Sequence, residues 1–402
     1  MSLIGIDLGT SFIKAGVLDI DTLQLNHVQR VPFPNPLPGL PPLFREFDPG
    51  EVIAAVLNVL RGVALYADVC HGIVVCTQMH GVVFTTENGE PRSNLTTWQD
   101  QRVLMPHHSG IGSFFDVMKA RLNREEIRQL GNELRPGLPI GLFFWMAEQK
   151  LLPDQHLIPA ALSDFVIANL CNICPVTEAT NAMAHGILNL DTMDWHYPVI
   201  GKLGFEQLRL PEIKPHGTVI GWLDLIGRRI PCFTPVGDYQ CALLGALLQN
   251  EELSLNISTG SQVSLLKSKA EFGNFQTRPF FDGRFSNTIT HIPAGRALNA
   301  LVKLLSELAV SQGIDLVDPW AYITQAAEKV DLPTMRANLA FYSSAIGDEG
   351  AFTHLHEDEL TVGHIFRAAF QSMAESYHSF AHRLSPDRAW RNLVFSVALS
   401  RR

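Results

Sequence analysis

A strand-like segment near the start of the chain ends in a turn of small polar residues that could bind phosphate. The segment reads Asp7-Leu8-Gly9-Thr10-Ser11, and Lys14 follows it. A glycine lets the backbone approach phosphate oxygens closely, and Thr10 and Ser11 add hydroxyl donors. Asp7 stands at the strand end, where a carboxylate can hold a hydrated Mg²⁺. The same residue types also make ordinary hairpin turns, so the motif alone does not decide between the two.

A second turn of this kind lies far along the chain, at Ser258-Thr259-Gly260-Ser261. It follows the apolar run Leu253–Leu255 and precedes another strand-like run. Its hydroxyls and its glycine could hold the other side of a triphosphate. Taken alone, such a segment is more often a plain loop between strands.

A carboxylate occurs at Asp238, directly before a helical pattern that runs from Tyr239 to about Leu248. Transfer of a phosphoryl group to an alcohol needs a base beside the attacking hydroxyl, and a carboxylate at a helix start can supply it. Aspartate is also a preferred helix N-cap, and the residue can serve in both ways.

Two further segments combine aromatic and hydrogen-bonding side chains, the combination that sugar sites use. The candidates for contact with a substrate are Gln78, Met79, His80, Trp98, Asp100 and Arg102. Each has an alternative interpretation: a core histidine, a core tryptophan, and a surface ion pair between Asp100 and Arg102.

The elements that must position these residues alternate between strands and helices, which predicts an α/β fold. Strands are predicted at Leu3–Leu8 and Phe12–Leu18, and a helix begins after the cap Asp48. A long helix is predicted over 362–384. The two distant small-residue turns suggest two related halves that face each other across a cleft, with a boundary near residue 233.

Composition excludes several classes of protein. The 402 residues are 46% apolar and 18% charged, with a net charge of −9. No basic run marks a nucleic-acid or anionic-membrane surface, and no apolar run is long enough to span a bilayer. No secretory signal is recognisable, so we expect a cytoplasmic protein. The single Cys-x-x-Cys pair, Cys171 and Cys174, lacks a matching second pair for zinc.

Together and in this order, the motifs resemble those of the carbohydrate kinases that include glycerol kinase and xylulokinase. Ile4–Ser11 and Ser258–Ser261 resemble the two phosphate motifs of that family, and Gly237–Ala242 resembles the segment with its catalytic aspartate. The segments Gln78–Phe84 and Thr97–Asp100 resemble the corresponding sequences of the sedoheptulokinase branch of that family.

The resemblance implies two actin-like (ribonuclease H-like) domains around a central cleft. We expect a sugar-binding domain over residues 1–232 and a nucleotide-binding domain over 233–402, the latter shorter at its C-terminus than in the family. The implied reaction is phosphorylation of a ketose hydroxyl by ATP and Mg²⁺, with sedoheptulose giving sedoheptulose 7-phosphate. Asp238 is then the catalytic base, and Asp7 positions the magnesium through water. The implied nucleotide-binding residues are Asp7, Gly9, Thr10, Ser11, Lys14, Ser258, Thr259, Gly260, Ser261, Val397 and Ala398.

One segment departs from the family pattern. The family's adenosine motif has two adjacent glycines where this chain has Val397 and Ala398. Side chains at these positions would crowd a nucleotide that approaches the backbone closely. Three alternatives therefore stay open: a degenerate sugar-binding homologue with weak or no kinase activity, a xylulokinase-like enzyme, and another actin-like ATPase. The sequence specifies neither the ketose nor the oligomeric state.

Overall fold

A computed structural model of the chain describes residues 1–67, 69–153, 155–258 and 260–397. The chain forms two compact units. The first comprises Met1–Gly245 together with Arg278–Arg284, and the second comprises Ala246–Thr277 and the described residues from Phe285 onward. The sequence prediction placed a boundary near residue 233. The segment from there to Gly245, which includes Asp238, lies in the first unit.

The centre of the first unit is a mixed sheet in the order β13-β14-β5-β1-β2-β3, with β15 paired to β5. Its strands are β1 (Ser2–Leu8), β2 (Phe12–Asp19), β3 (Gln24–Pro32), β5 (Cys70–Thr77), β13 (Val219–Leu225), β14 (Arg228–Phe233) and β15 (Val236–Gly237). The predicted first two strands are confirmed, and they pair antiparallel as a hairpin. Ile4, Ile6 and Leu8 are buried while the residues between them are half-buried, as the two-residue period of a strand requires.

Three neighbouring strands run parallel and end at one edge of this sheet. Leu8 of β1 lies opposite Thr77 of β5, and Gly237 of β15 also lies opposite Thr77. The residues that follow these strand ends therefore meet at that edge. The turn at Gly9, the side chain of Gln78 and the carboxylate of Asp238 all belong to this set.

The first long helix covers one face of the sheet. Helix α1 (Pro49–Ala64) begins after Asp48, whose side chain accepts a hydrogen bond from the Gly50 amide at 2.7 Å, so the predicted cap is confirmed. Its apolar stripe, which includes Val52, Val56 and Leu60, is buried against the sheet. The other helices described in this unit are α2 (Phe114–Arg121), α3 (Arg124–Gln129), α4 (Pro139–Glu148), α5 (Leu162–Cys171), α6 (Ala179–Ala184), α7 (Tyr197–Leu203) and α8 (Asp238–Gly245).

Short strands complete the first unit. A small sheet has the order β4-β7-β6-β8, and two further pairs join β10 to β11 and β12 to β9. Their bounds are β4 (Glu46–Phe47), β6 (Val82–Thr85), β7 (Leu95–Thr96), β8 (Ile158–Ala161), β9 (Val176–Thr177), β10 (Leu188–Asn189), β11 (Asp194–Trp195) and β12 (Glu212–Ile213). The small sheet lies next in sequence to both predicted sugar segments, because β6 follows Gln78–His80 and β7 precedes Trp98.

The second unit is built on a sheet in the order β18-β19-β17-β16-β22. Its strands are β16 (Glu252–Ile257), β17 (Ser261–Lys267), β18 (Gln276–Pro279), β19 (Phe285–Ile292) and β22 (Asn392–Val397), and a separate pair joins β20 (Arg336–Asn338) to β21 (Ala351–Thr353). The last two residues of β18, Arg278 and Pro279, are counted with the first unit. Helices α9 (Gly295–Ser311), α10 (Pro319–Glu328) and α11 (Val362–Leu384) belong to this unit. The long helix predicted over 362–384 is confirmed. Its buried positions, among them Phe366, Tyr377 and Phe380, contribute to the core of this unit.

Among the residues described, the helices lack the combination of length and apolar character that crossing a bilayer requires.

A glycine fixes the segment that carries Trp98. Gly137 has a φ of +87°, and a Cβ atom built on it would lie 2.3 Å from the backbone oxygen of Trp98. Both the left-handed backbone and the close approach therefore require glycine at this position.

We expect Gly137→Ala to lower the free energy of unfolding by about 3 kcal/mol or more, because it combines backbone strain with a clash against main chain. The matched control is Gly39→Ala. Gly39 has a φ of +74° and nothing within 4 Å of its built Cβ. In the control variant the free energy of unfolding should fall by only about 1–2 kcal/mol, which is the cost of the left-handed backbone for alanine. Urea denaturation measures both variants, and equal losses would contradict the proposed close contact.

Candidate active site

The first small-residue turn is connected to both predicted sugar segments by hydrogen bonds. The Gly9 amide donates to the Phe12 carbonyl at 3.1 Å and closes the turn. The Thr10 hydroxyl donates to Oε1 of Gln78 at 3.0 Å, and the indole N–H of Trp98 donates to the Thr10 hydroxyl at 3.4 Å. Thr10 and Ser11 are exposed. One predicted phosphate turn and two predicted sugar segments are therefore adjacent in the first unit.

Asp7 and Lys14 form an ion pair beside this turn. Nζ of Lys14 lies 3.0 Å from Oδ2 of Asp7, and about a third of the Asp7 side chain, 35%, is exposed. Lys14 projects from the strand that pairs with β1, directly opposite Asp7. An accessible carboxylate is the ligand type that Mg²⁺ prefers, and the negative charge of Asp7 also acts on a second carboxylate, that of Asp238. The residues present therefore fit a magnesium ion.

Asp238 is the first residue of α8 and is half-buried. Its carboxylate accepts a hydrogen bond from the Tyr239 amide. Burial raises the pKa of Asp238, and the negative charge of Asp7 raises it further, to about 7. A carboxylate with this pKa is suited to accept a proton near neutral pH.

Buried polar groups bind the backbone that precedes Asp238. The Gly237 amide donates to the Thr180 hydroxyl at 2.9 Å, and Nδ2 of Asn181 donates to the Pro235 carbonyl at 3.3 Å. Met79 is buried beside Gly237, because a Cβ built on that glycine would lie 3.5 Å from the Met79 side chain. Helix α6 therefore positions the catalytic candidate, and Met79 fills the space next to it.

His80 is buried and makes two hydrogen bonds that define its protonation. Nδ1 lies 2.8 Å from the Ala184 carbonyl, which can only accept, so Nδ1 carries the proton. Nε2 lies 2.6 Å from a guanidinium nitrogen of Arg135 and accepts from it. Burial lowers the pKa of His80, and Arg135 lowers it further, to about 3. The ring is neutral, and both of its nitrogens are engaged with protein groups.

Asp100 and Arg102 form a pair, as one interpretation of the sequence has it, but the pair is buried and does not lie on the surface. Nε and Nη2 of Arg102 donate to the two Asp100 oxygens at 2.8 and 2.7 Å, and Nη2 also donates to Glu46. The Arg45 amide donates to Asp100 at 2.7 Å, and the Arg102 guanidinium stacks over Phe44.

The cavity next to this pair is too small for a sugar. His80, Asp100 and Arg102 line a space of about 10 Å³, which is room for about one water molecule. A structural role for Asp100 and Arg102 follows from these contacts. Gln78 and the half-exposed Trp98 remain the candidates for direct sugar contact, and Trp98 has 42% of its surface accessible.

Sequence patterns missed a group of buried charges next to His80. We define the buried charge cluster as Glu133, Arg135 and Arg278. Arg278 donates to both oxygens of Glu133, at 2.7 and 2.6 Å, and Arg135 lies 3.4 Å from the same carboxylate. Burial tends to raise the pKa of Glu133, but Arg278 and Arg135 hold it down at about 2. The Arg278 guanidinium also lies 4.7 Å from the ring centre of Tyr239, the neighbour of Asp238.

The second predicted phosphate turn lies in the second unit and is closed by its own hydroxyl groups. The Ser261 hydroxyl donates to the Ser258 carbonyl and accepts from the Ser258 amide, both at 3.1 Å. The Ser258 hydroxyl donates to the Gly260 carbonyl, and the first amide of α9, at Gly295, donates to the Ser258 carbonyl. Val397 ends β22, opposite Ile257. Thr259 and Ala398 lie outside the described residues.

The chain is similar to known proteins in sequence and in fold. Residues 2–245 match the model of the N-terminal domain of the FGGY family of carbohydrate kinases. Sedoheptulokinase of Mus musculus is 24% identical, over 94% of this chain and 85% of its own length. The structure of ligand-bound xylulose kinase from Lactobacillus acidophilus superposes with a TM-score of 0.83 at 17% identity, over 100% of this chain and 82% of its own. The structure of Plasmodium falciparum glycerol kinase with ADP superposes with a TM-score of 0.80 at 18% identity, over 98% of this chain and 80% of its own.

Loss of one member of the buried charge cluster should be costly. Arg278→Met leaves Glu133 buried without its bidentate partner, and we expect a loss of about 3–5 kcal/mol in the free energy of unfolding. The matched control is Arg128→Met. Arg128 pairs with Glu125 and Asp191 at more exposed positions, so its loss should cost about 0–1 kcal/mol. Urea denaturation at neutral pH makes the comparison. An Arg278→Met variant as stable as the control would rule out a strong buried pair.

Proposed function

This chain belongs to the FGGY family of carbohydrate kinases, phosphotransferases with an alcohol group as acceptor, and on that premise we propose that it transfers the γ-phosphate of ATP to a hydroxyl of a ketose. Sedoheptulose, giving sedoheptulose 7-phosphate, is the first candidate for the acceptor.

One observation carries this proposal: the meeting of three functional groups where β1, β5 and β15 end. The turn with Thr10, the Gln78 side chain and the Asp238 carboxylate follow neighbouring parallel strands. Hydrogen bonds join Thr10 to both Gln78 and Trp98. A phosphate turn, a sugar-binding set and a base are the parts that phosphoryl transfer to an alcohol requires.

In the proposed reaction, Asp238 accepts the proton of the attacking hydroxyl. The oxygen of that hydroxyl forms a bond to the γ-phosphorus while the bond between this phosphorus and the β,γ-bridging oxygen breaks, and ADP leaves. Gln78 and Trp98 orient the acceptor, and the backbone at Gly9 with the hydroxyls of Thr10 and Ser11 binds phosphate oxygens. Asp7 would hold magnesium, which neutralises phosphate charge when it is bound.

We assign the small-residue turn of the second unit to nucleotide phosphates as well. Ser258, Gly260 and Ser261 form a compact turn that packs against the first amide of the long helix α9. Amides at a helix start attract phosphate. The ADP in the glycerol kinase structure supports a nucleotide as the ligand of this fold.

The choice of sedoheptulose is supported by the sedoheptulokinase of Mus musculus among the relatives. A second candidate is a sugar-binding protein with weak or no phosphoryl transfer. It is favoured by Val397 and Ala398, which stand where the family's adenosine motif has adjacent glycines.

A coupled assay of ADP release separates these candidates. Purified protein with MgATP is tested against sedoheptulose, xylulose, ribulose, glycerol and no sugar. The first candidate requires ADP release that depends on sedoheptulose. The second requires that a sugar raises the melting temperature while no sugar stimulates ADP release. ADP release that no sugar stimulates, together with a melting temperature that no sugar raises, would refute both.

Removal of the proposed base should strongly slow phosphoryl transfer while the protein stays folded. We expect Asp238→Asn to lower kcat by about 10²–10⁴-fold, because amide groups do not accept the proton. Asp224→Asn is the matched control, since Asp224 is an exposed residue of β13 in the same unit and should keep wild-type kcat. An Asp238→Asn variant with wild-type kcat would show that the base is another group.

The pH dependence of kcat/KM for the sugar should follow the protonation of Asp238 in the free protein. Its pKa is raised by burial and by Asp7 to about 7, so the carboxylate is protonated and unable to act as a base at lower pH. We expect kcat/KM to reach a plateau above this pKa and to fall about tenfold per pH unit well below it. Melting temperatures over the same pH range control for unfolding. A kcat/KM that stays constant through the acid range would contradict the assignment.

A further inference from the structure

The protonation of His80 leaves it without a donor for a sugar. Nδ1 donates its proton to the Ala184 carbonyl, and Nε2 accepts from Arg135 at 2.6 Å. Sugar hydroxyls and carbonyl oxygens need donors as well as acceptors from the protein. The Arg135 guanidinium, which contacts His80, carries several N–H donors in a planar fork and no acceptor.

Arg135 is the accessible member of the buried charge cluster. Its side chain is 27% exposed, while those of Glu133 and Arg278 are 2% and 4% exposed. Of these three side chains, that of Arg135 is therefore the one that a ligand can reach.

The main chain places Arg135 between the two predicted sugar segments. Its side chain contacts His80 of the first segment. Two residues further on, Gly137 packs so tightly against the second segment that its built Cβ would lie 2.3 Å from the Trp98 carbonyl oxygen. The segment that carries Arg135 therefore contacts both predicted sugar segments.

The neighbouring charges favour a neutral ligand. Glu133 lies 3.4 Å from the Arg135 guanidinium and also binds both short donors of Arg278. Because Arg135 already has a carboxylate partner within the protein, an anionic ligand such as a sugar acid is not needed to compensate its charge.

We propose that Arg135 is a specificity-determining residue that donates hydrogen bonds to hydroxyl or carbonyl oxygens of a neutral ketose, on the side of the sugar remote from the transferred phosphate. This inference rests on the proposed sugar kinase function and adds to it a residue and an acceptor class. Glu133 and His80 hold the guanidinium in place, so Arg135 is positioned before the sugar binds.

The test compares Arg135→Gln and Arg135→Lys with the wild type and with Arg128→Gln, a matched control in the same unit at a more exposed ion pair. Sedoheptulose and xylulose are the neutral probes, and gluconate is the anionic probe. Two readouts are taken from folded protein: the shift in melting temperature that each sugar alone produces, and the KM values for sugar and for ATP with kcat.

We expect Arg135→Gln to raise the KM for the ketose about tenfold or more, because the variant loses one charge-assisted hydrogen bond to the sugar. The shift in melting temperature that the sugar produces should also become smaller. Its KM for ATP should stay at the wild-type value. Arg135→Lys should recover part of the affinity because it keeps a charged donor, and Arg128→Gln should match the wild type in every readout.

A wild-type ketose KM in Arg135→Gln, with sugar-dependent ADP release intact, would overturn the role of Arg135 and leave the kinase function standing. A wild type that is stabilised by ketose but releases no ADP would refute the kinase function, and the thermal shifts of the variants would then decide the role of Arg135. A wild type that no probe sugar stabilises would overturn both proposals. Tighter binding of gluconate than of either ketose would overturn the neutral acceptor class. If Arg135→Gln does not fold, Arg135→Lys decides by the same readouts.

Discussion

The parallel register of β1, β5 and β15 is the constraint on which the site depends. Leu8 and Gly237 both lie opposite Thr77, so three chain segments that are distant in sequence leave the sheet at one edge. A slip of one residue in any of these strands would turn its side chains to the other face. The alternating burial of Ile4, Ile6 and Leu8 fixes that register, so the hydrophobic core of the first unit determines where its polar groups meet.

Buried polar contacts around the strand ends fix the positions of the segments that meet there. Thr180 and Asn181 hold the backbone on the N-terminal side of Asp238, and Glu133 with Arg278 lies near Tyr239 on its other side. These groups are buried, and buried polar groups are stable only when they are paired. Their pairing allows the first unit to hold buried charges close to the site. Each pair restricts the position of a segment that carries a proposed functional residue.

The sequence predicted those parts of the candidate site that are formed by residues close together in the chain. The turn at residues 7–11, the cap at Asp48 and the helix near Asp238 each depend on a few neighbouring residues, so sequence patterns predict them. The helix was predicted from Tyr239 to about Leu248 and spans Asp238–Gly245 in the structure. The buried charge cluster was not readable, because Glu133 and Arg278 are distant in sequence and separately resemble surface charges. The interpretation of Asp100 and Arg102 as a surface pair failed for the same reason: the pairing is local, whereas the burial by Phe44 and Glu46 is not.

The way in which Arg278 shares its charge bears on the proposed base. A guanidinium bonded directly to Asp238 would lower the pKa of that carboxyl and make it a poor proton acceptor. Arg278 instead gives both of its short hydrogen bonds to Glu133, so its charge acts on Asp238 only through space, and that effect is smaller than the effects of burial and of Asp7. Glu133 therefore keeps the cation near the site while leaving Asp238 with a pKa of about 7, where a base is both deprotonated and strong enough to take a hydroxyl proton.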